Sequence, residues 1–322
     1  MQRPYKSVIN RIAIALIFNA ALFVLLSSLF SMLEGELIGA DGVTDLEDAI
    51  LTLIESVVYF ASFTLPVLLF SRMTEQAGEE ILLPERRDRL FSRTECALAI
   101  AASLGAISAS AYLNYFIVDI FPNYSDFASE SFWSVRLDKP YQIALYFFGS
   151  AIVPAVCEEL LFRGTVCRAL LPFGKGCAVI VSALLFSLMH TNVQQSLYTL
   201  VGGLCLGFIY VKTESVVYPI LLHFINNSVS IAETVIIEKL PKDQVSTVIY
   251  AIDNAVVGLG AVSLVCLVII ALIKRKSHMP EAKEAPLLNV RDRICGFFSL
   301  PMTLYVLYCV GVAAYYIYLS YK

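Results

Sequence analysis

The chain has 322 residues, of which 58% are hydrophobic and 16% are charged, with a formal net charge of −4. Soluble domains contain about 45–50% apolar and about 25% charged residues. The composition therefore excludes an ordinary soluble domain and predicts an all-α fold, a polytopic transmembrane helical bundle. The small net charge gives no electrostatic reason to expect nucleic acid as a partner. The eight cysteines form no C-x-x-C pair, which argues against a disulfide framework or a thiolate metal site.

Nine apolar stretches predict membrane spans, because a helix needs about 20 apolar residues to cross about 30 Å of hydrocarbon. The stretches are 10–33, 49–71, 96–119, 141–167, 177–191, 196–212, 215–237, 246–273 and 297–320. The fifth and sixth are short. We divide the chain into about three N-terminal spans with their loops at 1–140, a core of about four spans at 141–237, and about two C-terminal spans at 238–322.

The loops differ in their content of Lys and Arg. Most of the 23 basic residues would lie on the membrane side that holds the N-terminus, whereas the loop at 34–48 on the other side contains acids and no Lys or Arg. Cytoplasmic loops are enriched in Lys and Arg. The sequence therefore predicts a multi-pass protein of the cell membrane with a cytoplasmic N-terminus.

Two local patterns have structural interpretations. The aromatic residues around Trp133 are typical of an anchor at a membrane interface. Gly203 and Gly207 form a G-x-x-x-G pattern in the sixth stretch, which predicts close packing against a neighbouring helix.

Two adjacent carboxylates, Glu158 and Glu159, lie in the fourth apolar stretch. A charge at mid-bilayer costs on the order of 3 kcal/mol on insertion scales, so such residues generally face a bundle interior or a wet cavity. Glu159 and Arg163 are four residues apart and share one helix face, whereas Glu158 is rotated by about 100°. The spacing predicts a structural ion pair between Glu159 and Arg163 and leaves Glu158 for chemistry. A purely structural role for both carboxylates is the alternative.

Two of the three histidines lie deep in apolar stretches. His190 ends the fifth stretch, and His223 lies in the seventh, where Asn227 follows one turn later on the same face. At about 1.5 Å per residue, these three residues and Glu158 fall at similar depths in the inner or middle part of the membrane. Such a group can support hydrolysis through a general base and oxyanion donors. Glu158 and the two histidines could instead hold Zn²⁺ with one open position, and the residues alone leave both chemistries open.

Three ordered motifs resemble those of the CPBP family of intramembrane proteases: E-E-x-x-x-R from Glu158, F-x-x-x-H ending at His190, and H-x-x-x-N from His223 to Asn227. This family includes the type II CAAX prenyl endopeptidases and bacteriocin-processing or immunity (Abi-like) proteins. The similarity covers roughly residues 141–237.

The resemblance implies a role for each motif residue. Glu158 and His190 would activate water, and His223 and Asn227 would stabilise the oxyanion. The remaining pair, Glu159 and Arg163, would support the site. The resemblance implies no cofactor, with Zn²⁺ on Glu158, His190 and His223 as the alternative.

The resulting expectation is an intramembrane endopeptidase that cuts a membrane-associated protein or peptide, of CAAX type or leader type, near the cytoplasmic face. Its expected partners are the lipid bilayer and that substrate. The alternative is a non-catalytic scaffold or bacteriocin self-immunity protein with the same fold. A proton-coupled transporter that uses Glu158 and the histidines is a third hypothesis, but such proteins often have repeated halves, which the chain does not show.

Overall fold

The computed structural model describes residues 2–37, 44–76, 91–113, 120, 137–275 and 289–321. Within these ranges the backbone forms helices and no strands, so the predicted all-α bundle is confirmed. The predicted aromatic anchor around Trp133 lies outside the described residues.

Ten helices make up the described part of the chain. They are α1 (Gln2–Leu37), α2 (Asp45–Gln76), α3 (Arg93–Ala111), α4 (Pro140–Phe173), α5 (Lys175–Met189), α6 (Val193–Thr213), α7 (Val217–Lys239), α8 (Lys242–Arg275), α9 (Val290–Phe297) and α10 (Leu300–Ser320). All except α5 and α9 are long and apolar enough to cross a membrane, which gives eight candidate spans among the described residues.

The fifth predicted span is the short helix α5. Its 15 residues extend about 22 Å, less than the roughly 30 Å of a hydrocarbon core. The helix ends at Met189 and His190 is its C-terminal cap. The next residue, Thr191, has a left-handed backbone with φ of 48°. The side chain of Asn192 then accepts a hydrogen bond from the N–H of Gln195 and caps the start of α6. The chain therefore reverses direction beside His190.

Small residues allow close helix packing in this hairpin. A Cβ atom on Gly203 would lie 2.9 Å from the Cα atom of Ala183 on α5, and one on Gly207 would lie 3.1 Å from the side chain of Val179. The close packing predicted from the G-x-x-x-G pattern is confirmed. The helices α3 and α8 approach each other in the same way, because a Cβ on Gly105 would lie 2.6 Å from the Cα of Gly260.

Polar contacts join the beginnings of α2 and α4. The Nζ of Lys139, just before α4, pairs with Asp45, and the amide of Gln142 donates to the carboxylate of Asp48 at 2.9 Å. The hydrogen bond with Asp45 raises the pKa of Lys139 above its ordinary value. Both helices thus begin on the same side of the bundle, and α2 runs alongside α4.

Candidate active site

Two wide turns interrupt the regular hydrogen bonding of α4. The N–H of Val153 bonds to the carbonyl of Phe148, and the N–H of Arg168 bonds to the carbonyl of Arg163. Each bond spans five residues, as in a π-helix, and such turns are frequent at functional sites. The α-helical segment between them, Val153–Leu161, carries both glutamates of the first motif.

The carboxylate of Glu158 is buried, with 3% of the residue exposed. Its Oε1 accepts a hydrogen bond from the hydroxyl of Tyr59 on α2. Its Oε2 has no hydrogen-bond partner among the described residues and lies 3.9 Å from the Nε2 of His223. One oxygen is therefore held in place, and the other is left for a further group.

Glu159 is fully buried and forms the predicted ion pair with Arg163. Its Oε1 accepts a hydrogen bond from Nη1 of Arg163 at 2.7 Å. The other guanidinium nitrogen donates to the carbonyl of Gly203 at 3.1 Å, and the guanidinium lies 4.6 Å from the centre of the Phe186 ring. The pair thereby joins α4 to α5 and α6.

The same Glu159 oxygen also holds His223, a contact that the sequence did not predict. The Nδ1 of His223 lies 2.9 Å from Oε1 of Glu159. A carboxylate can only accept, so Nδ1 carries a proton and Nε2 is directed toward Glu158. Donation from Nε2 to an oxyanion therefore requires the doubly protonated ring, whereas a neutral ring presents a lone pair there.

His190 has a similar arrangement at the end of α5. Its Nδ1 lies 2.8 Å from the carbonyl oxygen of Phe186, and its ring packs edge-on against the Phe186 ring with centroids 4.9 Å apart. Because the carbonyl can only accept, Nδ1 donates, and the Nε2 of a neutral ring is an acceptor. His190 can therefore accept a hydrogen bond from water through Nε2.

Asn227 contacts the backbone of α4. Its Nδ2 donates to the carbonyl of Ser150 at 3.1 Å. In a regular α-helix that carbonyl would accept from residue 154, which is a proline without an N–H. The bond uses one of the two amide hydrogens of Asn227. The neighbouring Asn226 donates to the hydroxyl of Tyr198 at 2.5 Å and to the amide oxygen of Asn227 at 3.3 Å.

A cavity of about 520 Å³ brings the four predicted catalytic residues together. Glu158, His190, His223 and Asn227 all line it. Other polar residues in its wall, none of which the sequence singled out, are Tyr59, Tyr146, Ser150, Gln195, Tyr198, Thr199, Asn226, Ser230, Glu233 and Thr234. Glu159 and Arg163 are buried and are not part of the lining.

The cavity extends from Glu158 toward one side of the bundle. On α4 its lining runs from Tyr146 to Glu158 and no further toward Phe173. On α3 it includes Ala111, the last residue of that helix, and on α7 it reaches Thr234 near the end of the helix. Among the described residues, the outer end of the cavity, which we call its mouth, therefore lies where α2 and α4 begin, on the side opposite to the start of α1.

The alternative zinc site requires Glu158, His190 and His223 to converge on one point. No group of three His, Cys, Asp or Glu side chains in the described ranges is arranged so that it could hold a metal ion. The Nδ1 of each ring contacts a backbone carbonyl or a carboxylate, which leaves Nε2 on each ring as the nitrogen that could bind a metal. Metal-binding histidines commonly have this arrangement, so the distances between the three side chains, and not their hydrogen bonds, separate the described arrangement from a metal site.

A comparison with protein families identifies this part of the chain. Residues 140–229 match the family model described as type II CAAX prenyl endopeptidase Rce1-like. This stretch of the chain is similar to that family. The stretch, which we call the Rce1-like domain, comprises α4 to α6 and the first half of α7, and it holds all six motif residues. The chain matches no curated protein and no solved structure.

Tyr59 lies outside the Rce1-like domain and still contacts its central carboxylate. Exchange of Tyr59 for Phe keeps the ring and removes the hydroxyl that orients Glu158. Hydrogen bonds to charged groups contribute about 1.5–3 kcal/mol, so we expect kcat to fall by about tenfold to a hundredfold. The matched control is Tyr250→Phe, which alters an exposed residue of α8 that does not line the cavity. Equal rates for both variants, measured in the same detergent, would contradict a role for Tyr59.

Proposed function

We propose that the chain is an intramembrane endopeptidase that hydrolyses a peptide bond of a membrane-associated protein or peptide. The observation that carries this proposal is the buried carboxylate of Glu158, which lines a cavity beside two histidines. Its Oε2 has no hydrogen-bond partner among the described residues. The Rce1-like domain supports CAAX-type intramembrane proteolysis at the level of the family. The proposal includes both a CAAX-type and a leader-type substrate.

In this mechanism Glu158 is the general base. Its Oε2 takes a proton from a water molecule that the Nε2 of His190 also contacts, and the water oxygen attacks the carbonyl carbon of the substrate. The free amide hydrogen of Asn227, together with protonated His223, donates to the resulting oxyanion. Glu158 then transfers its proton to the nitrogen of the leaving amine, and the peptide bond breaks. Tyr59 orients the base, and Glu159 orients His223.

The function is tested in membranes that contain either the wild-type protein or the Glu158→Ala variant at equal levels. We expect a set of membrane-associated peptides or proteins to accumulate uncut only with the variant. The shortened products should appear only with the wild type. Identical sets of polypeptides in both membranes would contradict proteolysis and favour the non-catalytic scaffold or self-immunity protein.

The proposed reaction requires no metal. We expect the purified active protein to contain less than stoichiometric zinc by elemental analysis and to keep its activity in the presence of a chelator. Loss of activity on chelation, with recovery on addition of zinc, would overturn this proposal in favour of a catalytic zinc, for which Glu158, His190 and His223 are the candidate ligands.

The direction of the cavity affects the place of cleavage. Its mouth is on the side opposite to the N-terminus. If the N-terminus is cytoplasmic, the mouth is extracytoplasmic, and the sequence-based expectation of cleavage near the cytoplasmic face is then wrong. The loop charges favour the cytoplasmic N-terminus, and we place cleavage toward the extracytoplasmic side. Reporter fusions after Lys242 should then report outside and those after Lys276 inside. The reverse pattern would place the mouth in the cytoplasm.

A further inference from the structure

The cavity contains a second carboxylate, far from Glu158. Glu233 lies on α7 in the half of the cavity near its mouth, together with Ser230 and Thr234. It is half-buried, and among the described residues no hydrogen bond or ion pair holds its carboxylate. The mechanism above does not use Glu233.

The surroundings of Glu233 are negative. No Lys or Arg is among the described residues that line the cavity, whereas Glu158 lines its inner end. Asp253 on α8 is close enough to act electrostatically on Glu233. The lysine at the end of the same helix, Lys239, lies 3.9 Å from Asp138 instead. A cationic group that entered the cavity would therefore be attracted, and an anionic group would be repelled.

The two hydroxyls of α7 next to Glu233 do not compete for its charge. Thr234 donates to the carbonyl of Ser230 at 3.0 Å, and Ser230 donates to the carbonyl of Asn226 at 3.4 Å. Both donors are thus directed along α7 and away from the carboxylate. The carboxylate oxygens of Glu233 can therefore accept hydrogen bonds from a ligand. The Oε2 of Glu158, which is buried and has no hydrogen-bond partner among the described residues, faces the same cavity.

The spacing between the two carboxylates gives the register of such a ligand. His223, beside Glu158, and Glu233 are ten residues apart on α7, which is about 15 Å along a helix. An extended peptide rises about 3.3 Å per residue, so this distance corresponds to four or five residues. We propose that Glu233 forms a cation-binding subsite that holds a Lys or Arg side chain of the peptide substrate, four or five residues from the bond that is cut. The inference rests on the proposed endopeptidase function.

A first experiment measures the charge preference of the cavity without catalysis. Cysteine is introduced by Ser230→Cys, one turn before Glu233. Its rates of reaction with a trimethylammonium-ethyl and a sulfonato-ethyl methanethiosulfonate are compared in purified protein, with the parent chain as background. Charges about 6 Å apart, the spacing of neighbouring side chains on a helix face, interact strongly enough at the effective dielectric constant of a protein surface to change reaction rates. We expect the ratio of cationic to anionic rates to fall at least tenfold on addition of Glu233→Gln.

The matched control is Glu238→Gln, which removes an exposed acid from the same helix outside the cavity. This control should leave the ratio unchanged. An equal ratio with and without Glu233→Gln, or an equal fall with Glu238→Gln, would overturn the subsite. Because neither reagent needs a competent active site, this result is separate from any failure of the proposed proteolysis.

A second experiment connects the subsite to the substrate. A synthetic library of apolar peptides with one varied position is cut by the wild type and by Glu233→Lys, and the products are sequenced. We expect Lys and Arg to be enriched four or five residues from the cut with the wild type, and Asp and Glu with the variant. The same profile for both proteins would overturn the subsite. A library that the wild type leaves uncut would count against the proposed function. The reaction rates of the two methanethiosulfonates would then still decide whether the cavity attracts cations.

Discussion

Exchange of Glu158 for Gln should lower the rate of peptide hydrolysis by about 10²–10⁴, the contribution typical of a general base. Gln keeps the size and polarity of the side chain and can still accept the hydrogen bond from Tyr59. It cannot take a proton from water. The rate is measured with a substrate identified by comparison of the wild-type and Glu158→Ala membranes, at equal amounts of purified protein in detergent.

The matched control for this variant is Glu55→Gln. Glu55 is a half-buried acid on α2, one turn before Tyr59, and does not line the cavity. Both variants should retain the melting temperature of the wild type within a few degrees, and Glu55→Gln should retain activity. Activity of Glu158→Gln near that of the wild type would show that another group activates the water. An equal loss in both variants would indicate that removal of any buried acid from this region damages the protein.

Removal of the Arg163 side chain should be the most damaging single change to stability. Arg163 is fully buried, and the Arg163→Met variant leaves Glu159 as a buried carboxylate without its cation. The loss of one partner of a buried pair costs about 3–5 kcal/mol. We expect a low yield and a clearly lower melting temperature in detergent. The exposed pair of Lys139 and Asp45 provides the control, because Lys139→Met should change the melting temperature far less.

A double variant separates charge from packing. Glu159→Gln combined with Arg163→Met removes both charges of the pair and leaves neither buried without its partner, so it should recover most of the melting temperature lost in Arg163→Met. It should still be a poor enzyme, because a neutral amide at position 159 holds His223 less firmly than a carboxylate does. Unchanged stability of Arg163→Met with complete loss of activity would contradict the structural role and assign Arg163 to the chemistry.

The sequence was sufficient to predict the ion pair and four of the polar residues that line the cavity. Glu159 and Arg163 are four residues apart, and that local spacing needs no tertiary information. The polar residues Glu158, His190 and His223 are rare in apolar stretches and thus conspicuous. The depth of each residue in the membrane can be counted along its helix from a charged residue near the end of that helix. The three depths are similar, which is why the sequence also predicts that these residues meet.

Other features of the site depend on the fold and could not be predicted. Tyr59 is one of 17 tyrosines, and nothing in its local pattern indicates that α2 packs against Glu158. The contact between His223 and Glu159 requires the relative rotation of α4 and α7, and the direction of the cavity requires all the helices together. A signal was available for Asn227, because Pro154 leaves the carbonyl four residues earlier without its usual donor. That signal identifies the carbonyl of Ser150 as a free acceptor, but it does not identify the side chain of Asn227 as the donor.

Each of the two wide turns of α4 accommodates one residue more than a regular α-helical turn. A single deletion within Phe148–Ile152 would remove that extra residue, restore regular winding and leave the following segment facing the same way. In a helix without such a turn, a single deletion would instead rotate every later residue by about 100°. The wide turn before the glutamates can therefore absorb the loss of one residue, and Glu158 would keep its place beside His223.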